Sequence, residues 1–443
     1  MSDSGRPPRS FAKIALFTGI LALFSALLLE LALHAAAFVS PTVDRLLGSP
    51  WVEPTIPDPR LRHRGNPAFP EHDARGFRNP EAIARAYGVA LGDSQTYGTG
   101  VRPEDAWPRQ LEAITGQSWY GMGFGGYGPP HGLILWDEAM ALEPEVVIEA
   151  FYLGNDLYDS FDLVYGHGQL PELRSDDPAI AAAIEKAEQT EPLAERVNKL
   201  LYMGRDPNAD AGADAGADPN ADTDSGAGAG ATATGTAATS DTSAPASLAR
   251  LVADHSKIYG LLRRLRFESA RRMAAAAAPA PESWETARAF AEAHAEYCQA
   301  FDDGRFRTVF MSEYRLNALD QSDVRIAEGL AIALRAIDRM SERAAAEKRR
   351  FLVVVIPTKE AVFGDRWKTP SEGFVRLAEN ERRVMALVEA HLRERGIELL
   401  DAAGPLRAVL ERGDQPYPIS QDGHPNAIGY RAIAESVAAR LAR

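Results

Sequence analysis

The chain has 443 residues, which is too long for one compact hydrophobic core and predicts two or three folding units. Its 48 Lys and Arg and 62 Asp and Glu give a formal net charge of −14, which argues against a nucleic-acid-binding protein because such a protein needs a basic face. Cys298 is the only cysteine, so an intrachain disulfide, a thiolate zinc cluster and an iron–sulfur site are excluded.

The first predicted element is an apolar helix at residues 13–39. Residues 14–29 carry no charge, and only Glu30 and His34 interrupt the apolar character that follows. About 26 residues at about 1.5 Å each give roughly 39 Å of helix, enough to cross a bilayer core of about 30 Å. We therefore predict a transmembrane helix, in which the Glu30 carboxylate must reach the interface or find a partner.

Basic residues set the predicted orientation of this helix. Arg6 and Arg9 precede it and Lys13 is its first residue, so the positive-inside rule leaves a tail at 1–12 in the cytoplasm and places the rest of the chain on the periplasmic or extracellular side. The alternative is a cleaved signal peptide, because the alanines at 35–37 offer a cleavage site, and the protein is then secreted. Both interpretations export the protein.

The rest of the chain has the pattern of an α/β protein. Short apolar runs typical of buried parallel strands lie at 87–91, 146–152, 351–356 and 397–400. Helical patterns lie at 107–115, 132–142, 323–347 and 375–395. Strands that alternate with helices predict βαβ units and a parallel sheet.

We predict that this α/β domain is split. Its two parts are residues 85–165 and 351–443, after an extracytoplasmic lead-in at 40–84. A mainly helical insertion at 166–350 separates them and either covers the site or docks a partner. Within it, residues 206–247 lack Leu, Ile, Val, Met, aromatic residues, Lys and Arg, so this stretch is predicted to be a disordered linker.

A further stretch of the insertion, residues 301–315, is rich in aromatic side chains. We interpret this pattern as packing against the sheet domain, because large aromatic side chains contribute much of the buried apolar area of a core. The alternative is that this part of the insertion covers the crevice and contributes to specificity.

Polar residues follow the first two predicted strands. The run G-D-S at 92–94 places Ser94 on a tight turn from strand to helix, where its hydroxyl is exposed above the sheet; the alternative is that Ser94 only caps the helix. The run G-N-D at 154–156 offers the Asn155 amide to the same crevice, unless Asn155 is only a turn residue. Ligands bind at this carboxyl edge in parallel α/β sheets.

A third polar run, D-G-H at 422–424, lies near the C-terminus. In extended backbone, residues i and i+2 project to the same side, so Asp422 can reach the His424 ring and fix its tautomer, as the base of an acyl transfer requires. Pro425 keeps His424 out of a helix, which is consistent with a loop at a strand end. The alternative is an incidental loop histidine.

Together these runs resemble the sequence blocks of the SGNH/GDSL hydrolase family. The first block is similar to G-D-S at 92–94, the second to the glycines around Gly126, the third to G-N-D at 154–156 and the last to D-G-H at 422–424. Their order and their placement after successive strands also match. The resemblance implies a three-layer, flavodoxin-like parallel sheet, the SGNH hydrolase fold.

The resemblance also implies roles for individual residues. Ser94 is the nucleophile, His424 the base and Asp422 the residue that orients it. The Ser94 N–H, the Gly126 N–H and the Asn155 side-chain amide form the oxyanion hole.

This sequence departs from the family in two places. The last block is D-x-H rather than D-x-x-H, a form that occurs in relatives resembling the alginate-type polysaccharide O-acetyltransferases. In the second block Gly121 stands where asparagine is usual, so Gly123 and Gly125 are alternatives to Gly126 in the oxyanion hole.

No metal or organic cofactor is expected. The nine histidines are scattered and form no HxH or HExxH pair. The run G-x-G-x-x-G at 121–126 fits a dinucleotide-binding turn, but Pro129 and Pro130 follow it and no nucleotide-binding half is evident, so that function is not predicted.

The resulting expectation is a membrane-anchored serine esterase that acts on O-acyl esters, above all O-acetyl esters, of small molecules or of cell-envelope and extracellular glycans. One alternative is an O-acyltransferase module that works beside a membrane acyl-donor protein. The other is a non-catalytic envelope scaffold that kept the fold.

Overall fold

The computed structural model describes residues 9–40, 43, 52–203, 256–259, 261 and 283–443. The predicted disordered linker and residues 1–8 of the predicted cytoplasmic tail lie outside the described residues. The chain divides into two compact units, one of residues 1–52 and 232–281 and the other of residues 53–231 and 282–443.

The first unit contains a long apolar helix, α1 (Arg9–Val39). Its segment Lys13–Val39 has a mean hydropathy of 2.3, with none of that apolar window buried, so by length and composition it can cross a membrane. The Glu30 carboxylate accepts hydrogen bonds from Ser256 Oγ and the Ile258 N–H, each at 3.0 Å, and lies 3.2 Å from His34 Nε2. Glu30 is therefore paired, as a carboxylate in an apolar helix is expected to be.

The second unit contains nine strands among its described residues: β1 (Thr55–Asp58), β2 (Arg62–Gly65), β3 (Gly88–Gly92), β4 (Trp119–Gly123), β5 (Val146–Tyr152), β6 (Gln299–Asp302), β7 (Arg307–Phe310), β8 (Arg350–Ile356) and β9 (Glu398–Asp401). β1 pairs with β2, and β6 with β7, as antiparallel hairpins. The other five form one parallel sheet in the order β4-β3-β5-β8-β9.

Helices connect and cover these strands: α2 (Ser94–Tyr97), α3 (Trp107–Thr115), α4 (Pro129–Met140), α5 (Asp156–Phe161), α6 (Pro178–Thr190), α7 (Leu193–Leu201), α8 (Trp284–Ala293), α9 (Ser312–Ala318), α10 (Val324–Ala346), α11 (Lys359–Phe363), α12 (Glu372–Glu394), α13 (Ala403–Arg412) and α14 (Ala427–Leu441). Taken in chain order, the strands of the large sheet are arranged 2-1-3-4-5, the doubly wound order in which ligands bind at the carboxyl edge.

The sheet separates two hydrophobic cores. Alternate residues of a strand face opposite sides, so Val147 and Phe151 of β5 pack with residues of α4, α5 and α10, whereas Ile148 and Ala150 pack with residues of α3, α13 and α14. Full burial of such side chains stabilises the fold by about 1.5–3 kcal/mol for each Val, Ile or Phe. Because both faces are covered, the unit is a mixed α/β protein with a central parallel sheet.

The predicted strands at 87–91, 146–152, 351–356 and 397–400 are confirmed to within one residue at each end. Strand β4 was not predicted, and neither was the hairpin of β6 and β7, which lies within the stretch interpreted as mainly helical. β4 contains two glycines, and glycine weakens the strand signal of a sequence.

Glu149 in β5 provides a test of stability against pH. It is fully buried, and no described residue gives either carboxyl oxygen a hydrogen bond. Burial, with the Asp93 carboxylate nearby, raises the pKa of Glu149 well above its usual value of 4.5. The stability contributed by this group is therefore present below pH 4.5 and lost as the pH rises, because only the unfolded chain releases the proton readily.

We expect Glu149→Gln, which cannot ionise, to raise the Tm at pH 8 and to change it much less at pH 4. Each kcal/mol by which the loss of the carboxyl group stabilises the folded state raises the Tm by about 2–4 °C. Thermal unfolding at the two pH values checks this. A gain in Tm that is equal at both pH values would contradict the assignment of a buried, protonated Glu149.

Candidate active site

The turn after β3 places a serine hydroxyl at the carboxyl edge of the sheet. β3 ends at Gly92 and α2 begins at Ser94, with Asp93 between them as the N-cap. Asp93 Oδ1 accepts a hydrogen bond from the Gln95 N–H at 2.9 Å. The alternative in which Ser94 caps the helix is therefore wrong, and its hydroxyl is free of that task.

The loop before α14 brings an imidazole to this hydroxyl. His424 Nε2 lies 2.8 Å from Ser94 Oγ, although the two residues are 330 positions apart in the sequence. On the other side of the ring, His424 Nδ1 lies 2.6 Å from Asp422 Oδ1, and the same oxygen accepts the His424 backbone N–H at 2.9 Å. Because a carboxylate only accepts, Nδ1 carries the ring proton and Nε2 accepts the Ser94 hydroxyl.

The carboxyl group of Asp422 stays ionised in this setting. Burial acts to raise its pKa, but electrostatic attraction to His424, two hydrogen bonds from His424 and the Lys359 ammonium together lower the pKa of Asp422 below its usual value. A charged carboxylate holds the histidine in one tautomer and stabilises the imidazolium that forms when the ring takes a proton. His424, held by Asp422, can therefore remove the proton from Ser94.

Lys359 supports the loop that carries Asp422 and His424. Its buried Nζ donates to the Ser420 and Asp422 carbonyl oxygens, each at 2.8 Å. Burial lowers the pKa of Lys359 to about 8, against the attraction of Glu360 and Asp422. No sequence motif marks this lysine; its only signal is its place three residues after β8, at the carboxyl edge of the sheet.

The loop after β5 brings Asn155 to the same place. The Asn155 side-chain amide donates to Asp159 Oδ2 at 2.7 Å, one helical turn further on. Asn155 lacks a side-chain capping bond to α5, so its amide is not engaged in holding the helix start. Asn155 stands at the turn before α5 and also lines the cavity that contains Ser94 and His424.

Arg315 of α9 links this loop to the histidine loop. Its Nη1 donates to the Gly154 carbonyl oxygen at 2.9 Å, and its guanidinium lies over the Tyr152 ring at 5.4 Å. Its Nη2 lies close to Gly423, where a Cβ would be only 2.6 Å away, so a side chain at position 423 would require the guanidinium to move.

The aromatic stretch at 301–315 was interpreted as packing, and its phenylalanines confirm this. Phe301, Phe306 and Phe310 are buried around Phe363 in one of the two cores. Arg315, at the end of the same stretch, was missed as a residue of the site. An arginine after an aromatic run gives no local signal of a contact with loops more than a hundred residues away.

Gly126 differs from the other glycines of its run in its backbone conformation and in its position at the cavity. It has a φ of +74°, in the left-handed region that favours glycine, and it lines the cavity beside Ser94. Gly125 instead directs its carbonyl oxygen to His63 Nε2 at 2.9 Å, and Gly123 is the last residue of β4. Of the three glycines that the sequence left open, Gly126 is the one placed at the cavity.

The cavity between these loops has about 360 Å³ of empty space, part of it open to solvent. Residues of the sheet edge and its loops and of α5, α7 and α9 line it: Ser94, Gly126, Tyr152, Asn155, Asp159, Leu201, Tyr314, Arg315 and His424. Among the residues that the structure describes, no group of three His, Cys, Asp or Glu side chains could hold a metal ion.

Two residues of the lead-in, His63 and Asn79, form hydrogen bonds with the main chain of the glycine run at 121–126. His63 Nε2 bonds the Gly125 carbonyl oxygen at 2.9 Å, and Tyr127 Oη donates to the His63 carbonyl oxygen at 2.8 Å. Asn79 both accepts the Gly121 N–H at 3.0 Å and donates to the Gly121 carbonyl oxygen at 2.9 Å. Burial lowers the pKa of His63 to about 4, so this histidine is neutral near pH 7 and acts by hydrogen bonding.

Fold and geometry thus define an α/β protein that carries a hydroxyl, an imidazole and a carboxylate in line at the carboxyl edge of its parallel sheet. No family model and no curated protein matches the chain. Among solved structures it is similar to a protein from Desulfitobacterium hafniense DCB-2 assigned to the G-D-S-L family of lipolytic proteins. The two share 11% identity, the match covers 80% of this chain and 97% of that chain, and the TM-score is 0.32.

Proposed function

We propose that the protein is a serine esterase of the SGNH type that acts on O-acyl esters. One observation carries the proposal: Ser94 Oγ, the His424 ring and the Asp422 carboxylate form a hydrogen-bonded chain at 2.8 and 2.6 Å beside a cavity. This geometry is the one that acyl transfer from an ester to a serine requires.

The reaction follows from these contacts. Ser94 Oγ attacks the ester carbonyl carbon while His424 Nε2 takes the hydroxyl proton, and Asp422 stabilises the imidazolium. The tetrahedral intermediate collapses, the C–O bond to the alcohol breaks, and His424 returns the proton to the leaving alkoxide. Water then attacks the acyl-Ser94 ester with His424 again as the base, releasing the acid and restoring the serine.

Three donors would hold the oxyanion of this intermediate: the Ser94 N–H, the Gly126 N–H and the Asn155 side-chain amide. The position of Gly126 and Asn155 on the cavity supports this assignment. Preorganised donors of this kind are each worth about 10²–10³ in kcat. No metal or organic cofactor takes part in the proposed steps.

The substrate and location rest on the resemblance and on helix α1. We place the protein in a membrane through α1, with the site on the periplasmic or extracellular side, because basic residues precede the helix. We therefore propose O-acetyl esters of envelope or extracellular glycans as its substrates. If α1 is removed by cleavage, the same enzyme is secreted.

The competing functions differ in their products. Full-length protein in detergent is incubated with an acetyl ester, with and without an unacetylated acceptor oligosaccharide, and free acetate and acetylated acceptor are measured. We expect acetate release to equal ester consumption whether or not the acceptor is present.

Acetylated acceptor, with ester consumption that rises with acceptor concentration, would identify an O-acyltransferase that hands the acyl group of Ser94 to a sugar hydroxyl. Turnover of neither kind would favour the non-catalytic scaffold and overturn the proposal.

A further inference from the structure

Asp159 is a second buried acid in the cavity, and the steps above do not use it. It is 1% exposed and lies in α5, where its backbone N–H donates to the Asn155 carbonyl oxygen at 3.0 Å. Residues four apart on a helix share one face, so its carboxyl group lies against the Asn155 side chain. The contact of 2.7 Å between Asn155 Nδ2 and Asp159 Oδ2 fixes the plane of the amide.

A primary amide has two N–H donors, and Asp159 takes one of them. Since Asn155 lines the same cavity as Ser94, the second N–H remains for a ligand there. Without an acceptor at Asp159 the amide can rotate about its last bond, and the donor loses its fixed direction. A preorganised donor is worth more than a mobile one because no reorganisation is needed during the reaction.

The surroundings of Asp159 are mostly acidic. The titratable and charged groups that face it or share its cavity come from several elements: Arg62 of β2, Asp93 before α2, Asp156 of its own helix, Asp162 beyond that helix, Tyr314 and Arg315 of α9, and His424. Arg62 is the cation that attracts Asp159 most strongly, but its Nη1 lies 2.6 Å from Asp162 Oδ2 and is shared with that acid. A second uncompensated negative charge is unfavourable in such a setting.

We propose that Asp159 is a positioning residue for Asn155, and that its protonated form is the active one, so that the charge of Asp159 switches the oxyanion hole on and off. This inference rests on the proposed esterase function and deepens it. When Asp159 ionises, a carboxylate lies in contact with the amide that must stabilise a developing negative charge, and the two negative charges repel each other.

The direction of the pH dependence follows from the same surroundings. Burial first, then Asp162 and Asp93, raise the pKa of Asp159 to about 8, against Arg62 and the hydrogen bond from Asn155. Asp159 therefore keeps its proton at neutral pH and loses it as the pH rises. With a pKa of about 8, the protonated fraction falls to about one tenth at pH 9.

The test compares Asp159→Asn with the unchanged protein. Asparagine keeps an oxygen that accepts from Asn155 but cannot ionise. Because the ammonium of Lys359 titrates in both proteins, the ratio of their kcat/KM values isolates Asp159. For p-nitrophenyl acetate we expect the ratio of Asp159→Asn to wild type to rise about tenfold from pH 6.5 to pH 9.

Asp159→Ala, which removes the acceptor, is expected to lower kcat by about 10²-fold with little change in KM. The control is Asp137→Asn, an exposed acid on α4, whose ratio to wild type stays flat with pH. Circular dichroism confirms that each variant is folded.

A flat ratio for Asp159→Asn in an active wild-type enzyme would overturn this inference alone. An Asp159→Ala protein with the kcat of the wild type would overturn the positioning role. A wild-type protein without esterase or transferase turnover would instead overturn the proposed function, and with it the oxyanion hole that Asp159 is inferred to serve.

Discussion

Replacing Ser94 by alanine is expected to lower kcat/KM for p-nitrophenyl acetate by roughly 10⁴- to 10⁶-fold. Without Oγ there is no atom to attack the carbonyl, and the hydrogen bond of 2.8 Å to His424 Nε2 is lost. The residual rate is set by the oxyanion donors and by water. Initial rates at several substrate concentrations, with full-length protein in detergent, measure the change.

The matched control for this variant is Ser160→Ala. Ser160 is also fully buried, and its hydroxyl has no hydrogen-bond partner among the described residues. Its loss is expected to leave turnover close to that of the unchanged protein. A Ser94→Ala protein that keeps more than about a tenth of the wild-type rate would show that the hydrolysis occurs elsewhere on the protein or in the solvent.

Replacing Asp422 by asparagine is expected to lower kcat by about 10⁴-fold, with a small effect on KM. The asparagine oxygen can keep the hydrogen bond from the His424 backbone N–H, while its NH2 group donates to the ring. A ring that accepts at Nδ1 carries its proton on Nε2, and Nε2 can then no longer accept from Ser94. The pKa of Asp422 lies below its usual value of 3.8, so the unchanged enzyme keeps this carboxylate charged above that pH and loses it only as the pH falls further.

Asp414→Asn serves as the control for Asp422→Asn, since Asp414 lies in the turn after α13 and outside the cavity. Comparison at pH 7 of kcat and KM for both variants checks the expectation. If Asp422→Asn is as active as Asp414→Asn, the carboxylate at 2.6 Å from the ring has no part in orienting His424.

That Ser94, Asn155 and His424 lie close together could be predicted from the sequence. Each of them follows a strand or precedes a helix at the same edge of the sheet. Parallel strands place all their carboxyl ends on one side, so a pattern of strands is enough to bring distant motifs together. The contact between Asp422 and His424 could also be predicted, since it depends only on the i and i+2 geometry of extended backbone.

Other residues of the site had no such local signal. These residues make hydrogen bonds through long or buried side chains: Lys359, Arg315 and Asp159. Their partners depend on how α11, α9 and α5 pack in the folded protein. Strand β4 was missed because its glycines at 121 and 123 weaken the strand pattern. The helices on either side of it, α3 and α4, are the only sign that a strand lies between them.

The lead-in also gained a role that its composition did not suggest. His63 and Asn79 hold the glycine run that contains Gly126, through hydrogen bonds to main-chain groups of Gly125 and Gly121. Bonds to main-chain atoms depend on position and not on the partner's side chain, so no pairing of residue types in the sequence can reveal them.

The central claim is that Ser94 is a nucleophile activated by His424, and covalent labelling tests it most directly. Full-length protein is treated with a fluorophosphonate probe, digested and examined by mass spectrometry, with His424→Ala in parallel. We expect one adduct, on Ser94, in the wild-type protein and little labelling in His424→Ala. An unlabelled Ser94, or equal labelling without the imidazole, would contradict the claim.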